Sequence, residues 1–227
     1  MPLRGEAQGR PTYDLVAQIQ TGDGRLVFQA FHRVFNGPCW QKTVPLLGLQ
    51  DAMFATEPQL VEALDHPNIV QVREAQFDPQ ITDAVTFVMR HYEGGSAADA
   101  LGNGHRFSIN EAIALTFQLL DALAYLHVEM GFVHRDIKPH NLLLDAPRTT
   151  GYLSDFGSAA RIGADGSVNS AGWTLAYLDP AAALSGRMTT RSDLYAAGVR
   201  QAVTRFVETP PLSGGPSPRG ADPSFNA

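Results

Sequence analysis

The segment GFVHRDIKPHNLLLD, residues 131–145, places charged and polar side chains among Val, Ile and Leu, and it constrains the fold of this 227-residue chain more than any other feature. A charged group in an apolar setting is costly unless it is paired or bound to a metal. A cluster of such groups in loops at strand ends is typical of chemistry rather than of packing. The segment therefore predicts a functional site.

The spacing of the polar residues narrows the kind of site. Asp136 is followed by Asn141 and then, after a predicted hairpin, by Asp155 in the sequence DFG. The hairpin would return Asp155 to the neighbourhood of Asn141, and a carboxylate and an amide oxygen are hard ligands suited to Mg²⁺. Asp136 remains to orient a hydroxyl and accept its proton, and Lys138 can reach the same site as a point charge. Such a site holds a metal-bound polyphosphate and presents a nucleophile to it.

HRDIKPHN followed by DFG resembles the catalytic loop and metal-binding motif of eukaryotic-type (Hanks-type) protein kinases. The lysine two residues after the aspartate is similar to that of the serine/threonine branch. The resemblance spans roughly residues 13 to 200 and implies a kinase of the bacterial Hanks type that uses ATP and Mg²⁺. It implies that Asp136 and Lys138 are catalytic, and that Asn141 and Asp155 bind the metal.

The resemblance also assigns nucleotide-binding residues in the first half of the chain. Lys42 falls at the third-strand lysine that contacts phosphates, and Glu57 falls at the glutamate of the family's C-helix. Only two of the 17 Lys and Arg residues are lysines, and both occupy positions where the family uses lysine. The other residues that the resemblance implies lie in the glycine-rich loop or at the connection between the lobes: Gly22, Gly24, Val27, Met89, Arg90 and Tyr92.

Hydrophobic patterning predicts an α+β, two-lobed protein-kinase-like fold. Apolar runs between turn residues predict three antiparallel strands over residues 13–48, a short helix over 56–65, and strands in IVQVREAQF and AVTFVMRHY. A long helix begins after Ser108, which has capping-box spacing to Glu111. SDLYAAGV resembles the start of the family's central helix, with Ser192 as N-cap and with Asp193 bracing the catalytic loop.

These elements predict four regions of the chain. The first is a flexible N-terminus over residues 1–12, and the second is a kinase N-lobe over 13–89, formed by an antiparallel sheet and one helix. The third is a mainly helical, partial C-lobe over 90–208, which lacks its last helices because the chain leaves the family pattern after Val199. The fourth is a Pro/Gly/Ser-rich tail over 209–227, which we expect to be disordered.

Several positions depart from the family pattern. The glycine-rich loop keeps Gly22 but has Gln20 and Arg25 at the other two glycine positions, and the APE motif reads Asp-Pro-Ala at 179–181. The V-A-I-K motif reads Cys-Trp-Gln-Lys. Strand alternation puts Trp40 on the face of Lys42, where it either fills part of the nucleotide pocket or is turned elsewhere by a distorted strand. Glu57 precedes Pro58, so it either pairs with Lys42 or only caps a helix.

Composition excludes some functions. A net charge of −6 provides no basic field for nucleic acid. The single cysteine, Cys39, agrees with a reducing cytoplasm, and no stretch approaches the ~20 apolar residues of a membrane span. We expect protein partners with Ser/Thr acceptors. Autophosphorylation is a second possibility that the pattern allows. Arg135 would then pair with the phosphate. The candidate acceptors are the hydroxyls between the DFG and DPA motifs: Ser158, Ser167, Ser170 and Thr174.

Three functions follow from these observations. The first is an ATP-dependent protein serine/threonine kinase. The second is a pseudokinase or truncated binding module without useful turnover, which Trp40 and the thin glycine-rich loop favour. The third is a small-molecule kinase, which Lys138 and the SDLYAAGV segment disfavour.

Overall fold

The computed structural model describes residues 13–20, 26–33, 36–45, 56–77, 84–170 and 177–203. Its first half forms a five-stranded antiparallel sheet with the strand order β1-β2-β3-β5-β4. The second half is mainly helical. The strands and the helix between them are β1 (Tyr13–Gln20), β2 (Leu26–His32), β3 (Gly37–Pro45), α1 (Thr56–Ala63), β4 (Val72–Phe77) and β5 (Ala84–Arg90).

The central strand β3 divides the sheet into two faces. Its pairing with β2 and β5 runs without a bulge, so its side chains alternate strictly between the faces. Cys39 packs with Ala30 and Val88 in a small core on one face. Trp40 and Lys42 therefore share the other face, as the sequence predicted.

The second half is mainly helical. Its long helix α3 begins with the predicted capping box, in which the Ser108 hydroxyl and the Glu111 carboxylate exchange bonds with each other's backbone N–H groups. The helix ends in a π-helical turn at Tyr125–Glu129. The elements are α2 (Ala97–Gly102), α3 (Ile109–Ala124), β6 (Phe132–Val133), β7 (Leu142–Leu144), β8 (Gly151–Leu153), β9 (Ala160–Arg161), β10 (Val168–Asn169), α4 (Pro180–Ser185), β11 (Arg187–Met188) and α5 (Thr190–Val203).

The start of α5 corrects one prediction. Ser192 lies inside the first turn of the helix and is not its N-cap. The Thr189 hydroxyl accepts the N–H of Arg191 at 3.2 Å, which is the bond an N-cap makes. The Ser192 hydroxyl instead donates to Asp179, the residue that caps α4, at 2.8 Å. Two hydroxyls three residues apart compete for the cap, and the sequence alone does not decide between them.

The main hydrophobic core lies where α1, α3, α5 and the β7–β8 hairpin meet. Leu123 and Leu126, at the end of α3 and in the turn after it, are fully buried there. They pack in one cluster with Ile69 after α1, with Leu153 of β8 and with Ala196 of α5. The catalytic-loop sequence thus runs along the edge of the core, which is why its polar residues alternate with apolar ones.

The same long helix corrects the statement about membrane spans. Among the described residues, Ile109–Glu129 forms one helix of 21 residues with a mean hydropathy of 1.2, long and apolar enough to cross a membrane by composition. The mean hydropathy refers to an 18-residue stretch of this helix, and a third of that stretch is buried inside the protein. Core helices of proteins that do not span a membrane have the same length and composition.

The architecture confirms the predicted fold class. The structure is α+β, with an antiparallel sheet and one helix first and a mainly helical part second. The short helices α2 and α4 were not predicted, because six residues give too little periodicity to read. The proposed region boundaries stay predictions, and residues 1–12 and 209–227 lie outside the described residues.

Gly94 provides a test of how the connection after β5 packs on the hairpin. Its N–H donates to the Leu144 carbonyl at 3.1 Å, and a Cβ at this position would lie 2.2 Å from the carbonyl oxygen of Asp145. We expect Gly94→Ala to lower the free energy of unfolding by about 1–3 kcal/mol, because backbone has to move to admit the methyl group. Urea denaturation measures this effect.

The matched control is Gly102→Ala, at the end of α2, where an added Cβ meets no atom within 4 Å. We expect this variant to be as stable as the parent or slightly more stable, because alanine favours a helix over glycine. Equal stability of the two alanine variants would contradict the close packing at Gly94.

Candidate active site

The β7–β8 hairpin brings the two predicted metal ligands together. Leu142 pairs with Leu153, and the backbone N–H of Ser154 donates to the carbonyl of Asn141 at 2.9 Å. Asp155 follows directly, with a backbone φ of +63° that turns the chain sharply after the strand. The side chains of Asn141 and Asp155 thus start from neighbouring points of one hairpin, although 13 residues separate Asn141 from Ser154.

Asp136 lies in a dense polar cluster at the mouth of this hairpin. The Asn141 amide nitrogen donates to its backbone carbonyl at 2.8 Å and to its carboxylate Oδ2 at 3.0 Å. The Lys138 Nζ lies 2.7 Å from the same Oδ2. Asp136 is only 8% exposed, so its carboxylate is held in place by these partners and keeps a small contact with solvent. The amide bonds also leave the Asn141 carbonyl oxygen as the part of that side chain suited to a metal.

Lys42 connects the sheet to this cluster. Its Nζ donates to Asp155 Oδ1 at 2.7 Å across 113 residues of chain, and its side chain is 11% exposed. An ammonium beside a carboxylate forms a site where polyphosphate oxygens and a divalent cation meet groups of opposite charge. In the described residues no three His, Cys, Asp or Glu side chains form a metal-binding group. A Mg²⁺ ion would therefore take one carboxylate and one amide oxygen here and complete its shell from phosphate and water.

Asp193 of α5 holds the catalytic loop. Its carboxylate is 1% exposed and accepts the backbone N–H groups of His134 and Arg135 at 2.8 and 2.9 Å. His127, in the π-helical turn, places its Nε2 2.8 Å from the same carboxylate. Arg135 has a φ of +70°, a conformation that non-glycine residues rarely adopt. The sequence predicted Asp193 in this role but gave no sign of His127, because the contact joins residues 66 positions apart in the chain.

The bonds around His134 determine its tautomer. Its Nδ1 accepts the backbone N–H of Asp136 at 3.3 Å, so Nε2 carries the proton and donates to the Ser154 carbonyl at 3.1 Å. Burial lowers the pKa of His134 below its ordinary value, and the nearby carboxylate of Asp193 opposes this shift. The imidazole is therefore a neutral link between the catalytic loop and the hairpin.

The face of the sheet that carries Lys42, called the cleft face below, also holds two further residues of the predicted nucleotide site. Val27 of β2 pairs with Lys42, and Met89 of β5 pairs with Trp40. The Trp40 indole stacks on the imidazole of His91, with ring centroids 5.4 Å apart and planes at 22°. The sequence left open whether a distorted strand turns Trp40 away from the face of Lys42. The strand is regular, and the indole lies on that face.

The connection after β5 uses its side chains for packing. Tyr92 is 4% exposed, its hydroxyl accepts the Gln71 N–H at 3.2 Å, and its ring lies 4.5 Å from that of Tyr152. Arg90 is exposed, with its guanidinium 6.0 Å from the centre of the Tyr92 ring. Both residues were predicted at the nucleotide edge. The Tyr92 side chain packs in the core instead, the Arg90 N–H donates to the Gln71 carbonyl at 3.4 Å, and a nucleotide contact of their backbone stays a prediction.

Four of the predicted residues lie wholly or partly outside the described part of the structure. Gly22, Gly24 and Thr174 lie outside the described residues. Glu57 lies in α1, which begins at Thr56 as Pro58 suggested, but its side chain is outside the described part. The Glu57–Lys42 ion pair therefore stays a prediction.

The side chain of Arg135 contacts backbone carbonyls of the segment after DFG. Its guanidinium donates to the carbonyls of Ser158 and, at 2.8 Å, of Asn169. A different arginine, Arg187 of β11, contacts a candidate hydroxyl: its Nε donates to Ser167 at 2.7 Å. The expected Arg135–phosphate pair stays a prediction, since the described structure gives Arg135 carbonyl partners.

Comparison with known proteins agrees with this geometry. The sequence model of the protein kinase domain matches residues 13–217, so this chain belongs to the protein kinase family. The match extends past residue 200, where the resemblance by motifs ends. Similar proteins include a probable myosin light chain kinase of Dictyostelium discoideum, 34% identical over 74% of this chain. They also include the serine/threonine-protein kinases PknJ of Mycobacterium tuberculosis, 38% identical over 65% of the chain, and PrkC of Bacillus subtilis, 33% identical over 64%.

The chain spans only part of each of these relatives. The aligned region covers 53% of the Dictyostelium protein, 25% of PknJ and 22% of PrkC. The predicted Hanks-type family is confirmed, and members of that family generally use ATP and Mg²⁺ on protein substrates.

Removal of the Asp193 carboxylate tests the brace on the catalytic loop. We expect Asp193→Ala to lower the free energy of unfolding by about 3–5 kcal/mol, because buried N–H groups lose their acceptor and Arg135 loses the bond that holds its backbone. Urea denaturation measures the loss. The control is Asp121→Ala on α3, whose carboxylate is 69% exposed and lies 3.4 Å from His66. That change is expected to cost no more than about 0.5 kcal/mol, and similar losses in both variants would contradict the brace.

The buried His134 predicts a specific pH dependence of stability. Its pKa in the native protein lies below the 6.5 of a free histidine, so below about pH 6.5 the unfolded chain binds a proton that the native protein does not. The free energy of unfolding should therefore fall as the pH is lowered from about 7.5 to about 5.5. His134→Gln, whose amide can still donate to Ser154, should show a shallower fall in urea midpoints. Exposed carboxylates such as Glu111, whose pKa the Ser108 N–H lowers, titrate below this range. Equal slopes in both proteins would contradict the assignment.

Proposed function

We propose that this chain is an ATP-dependent protein serine/threonine kinase. The observation that carries the proposal is the convergence of Lys42, Asp136, Lys138, Asn141 and Asp155 on one cleft, with Lys42 bonded to Asp155 at 2.7 Å and Lys138 to Asp136 at 2.7 Å. These residues come from the sheet, the catalytic loop and the hairpin, and packing the core around α3 is what joins them.

Each residue has a defined task in phosphoryl transfer. Asp136 orients the acceptor hydroxyl and takes its proton as the oxygen attacks the γ-phosphorus. Lys138 lies against the same carboxylate, where its ammonium can follow the transferring phosphoryl group. Lys42 holds the phosphates that remain with the nucleotide. Asn141 and Asp155 would hold Mg²⁺, which neutralises phosphate charge when bound.

Lys138 supports the choice of serine and threonine as acceptors. A lysine two residues after the catalytic aspartate resembles the serine/threonine branch, and its 2.7 Å contact with Asp136 puts it where an aliphatic hydroxyl would be presented. The printed names of PknJ and PrkC describe serine/threonine-protein kinases, which agrees with this choice.

A second candidate is a kinase-like binding module without useful turnover. The Trp40–His91 stack favours it, because an indole on the cleft face reduces the room for a nucleotide base. A thermal-shift titration with Mg²⁺–ATP discriminates between the two, since a ligand that binds only the native protein raises its melting temperature. The absence of any shift at millimolar nucleotide would favour the binding module.

Transfer of radiolabelled phosphate from ATP to the chain itself and to a basic test protein is the direct assay. We expect label on serine and threonine and none on tyrosine. Asp136→Ala should reduce the rate about 10²–10⁴-fold, which is the contribution of a general base. Asp155→Ala should abolish Mg²⁺-dependent binding as well as transfer. Glu129→Gln, at an exposed position after α3, is the control that should keep full activity. Transfer by Asp136→Ala at the parent rate would refute the proposal.

A further inference from the structure

We propose that Trp40 and His91 form an aromatic gate at the base end of the cleft, and that the closed gate sets the nucleotide affinity of this chain. The inference rests on the proposed function, because it takes a nucleotide as the ligand of the cleft. It adds two specificity-determining residues that belong to neither the catalytic loop nor the DFG motif.

The strand register fixes where the gate lies. Lys42 marks the phosphate end of the cleft through its bond to Asp155. Trp40 is two residues earlier on the same strand and the same face, about 7 Å away along the strand. Its partner across the ladder is Met89, two residues before His91 in the connection between the sheet and the helical part. The stack thus lies between the phosphate end and that connection.

The stack occupies the space that a base would need. In the nucleotide site that the resemblance to the kinase family implies, a nucleotide with its phosphates at Lys42 places its base further along the same face, towards the connection after β5. The indole and the imidazole lie there with centroids 5.4 Å apart and a 22° angle between their planes, within the range of favourable aromatic pairs. A flat purine cannot share the gap between two stacked rings, so the pair has to separate before a base enters.

The closed gate is weakly held. The Nδ1 atom of His91 is shielded from solvent and has no hydrogen-bond partner among the described residues. A buried polar atom without a partner costs free energy, which offsets part of what the stacking contributes. The missing bond therefore lowers the free energy needed to open the gate. When only a fraction of molecules is open, the apparent dissociation constant rises by the inverse of that fraction.

Calorimetric titration with Mg²⁺–ADP, which binds without turnover, tests the gate in four variants of the full chain. Trp40→Ala and His91→Ala should each bind about three- to tenfold more tightly than the parent, the range that one aromatic pair accounts for. Gln41→Ala is the matched control, because Gln41 lies next to Trp40 on the opposite face of β3, and its affinity should equal that of the parent. Lys42→Ala should bind much more weakly.

The outcomes separate this inference from the proposed function. Tighter binding by Trp40→Ala or His91→Ala, with Gln41→Ala unchanged, supports the gate. If Trp40→Ala does not fold, as its melting temperature without ligand will tell, His91→Ala alone decides. Equal affinities in the parent and in both gate variants, with binding still lost in Lys42→Ala, would overturn the gate and leave the proposed function intact. Weaker binding by both gate variants would mean that the rings support the base, which also overturns it. No binding by any variant overturns both proposals.

Discussion

The carboxylate of Asp193 is the contact on which the rest of the site depends. It lies at the start of α5 with 1% exposure, and it collects the backbone N–H groups of His134 and Arg135 and the imidazole of His127. A buried carboxylate is tolerated only when such donors surround it. In return, the bonds hold Arg135 at a φ of +70°, and this sharp turn aims Asp136 away from the core and towards the cleft. Without the bonds to Asp193, the positive φ of Arg135 would cost free energy that these bonds now offset.

The second constraint is the β7–β8 hairpin, which holds polar groups at the edge of the hydrophobic core. Its Leu142, Leu144 and Leu153 side chains are buried, while its ends carry Asn141 and Asp155 outwards. His134 closes the arrangement as a neutral link, with one ring nitrogen on the backbone of Asp136 and the other on Ser154. Both ring nitrogens of His134 are therefore bonded, and they link the catalytic loop to the end of the hairpin.

The two ends of the cleft differ in how closely they follow the family pattern. At one end, Lys42 pairs with Asp155, and Asp136 contacts Lys138, so residues that the motifs named lie together, although these two ion pairs were not themselves predicted. At the base end, Trp40 replaces a small residue and stacks on His91. Chemistry requires particular functional groups at the first end, whereas the second end requires mainly space. If the chain is the kinase proposed above, a change at that end would alter nucleotide affinity without removing a catalytic group, so an intact catalytic loop and a crowded base end can occur in one chain.

The sequence by itself determined the strands, the long helix and the residues of the catalytic loop. Alternation along β3 placed Trp40 beside Lys42, and the Ser108–Glu111 spacing located the start of α3, because these signals act between residues close in sequence. Only the tertiary structure decided which hydroxyl caps α5, that His127 reaches Asp193, that Tyr92 packs into the core, and that Trp40 meets His91. Those contacts join residues up to 66 positions apart. Their geometry depends on how whole elements pack, and local patterns contain no information about that.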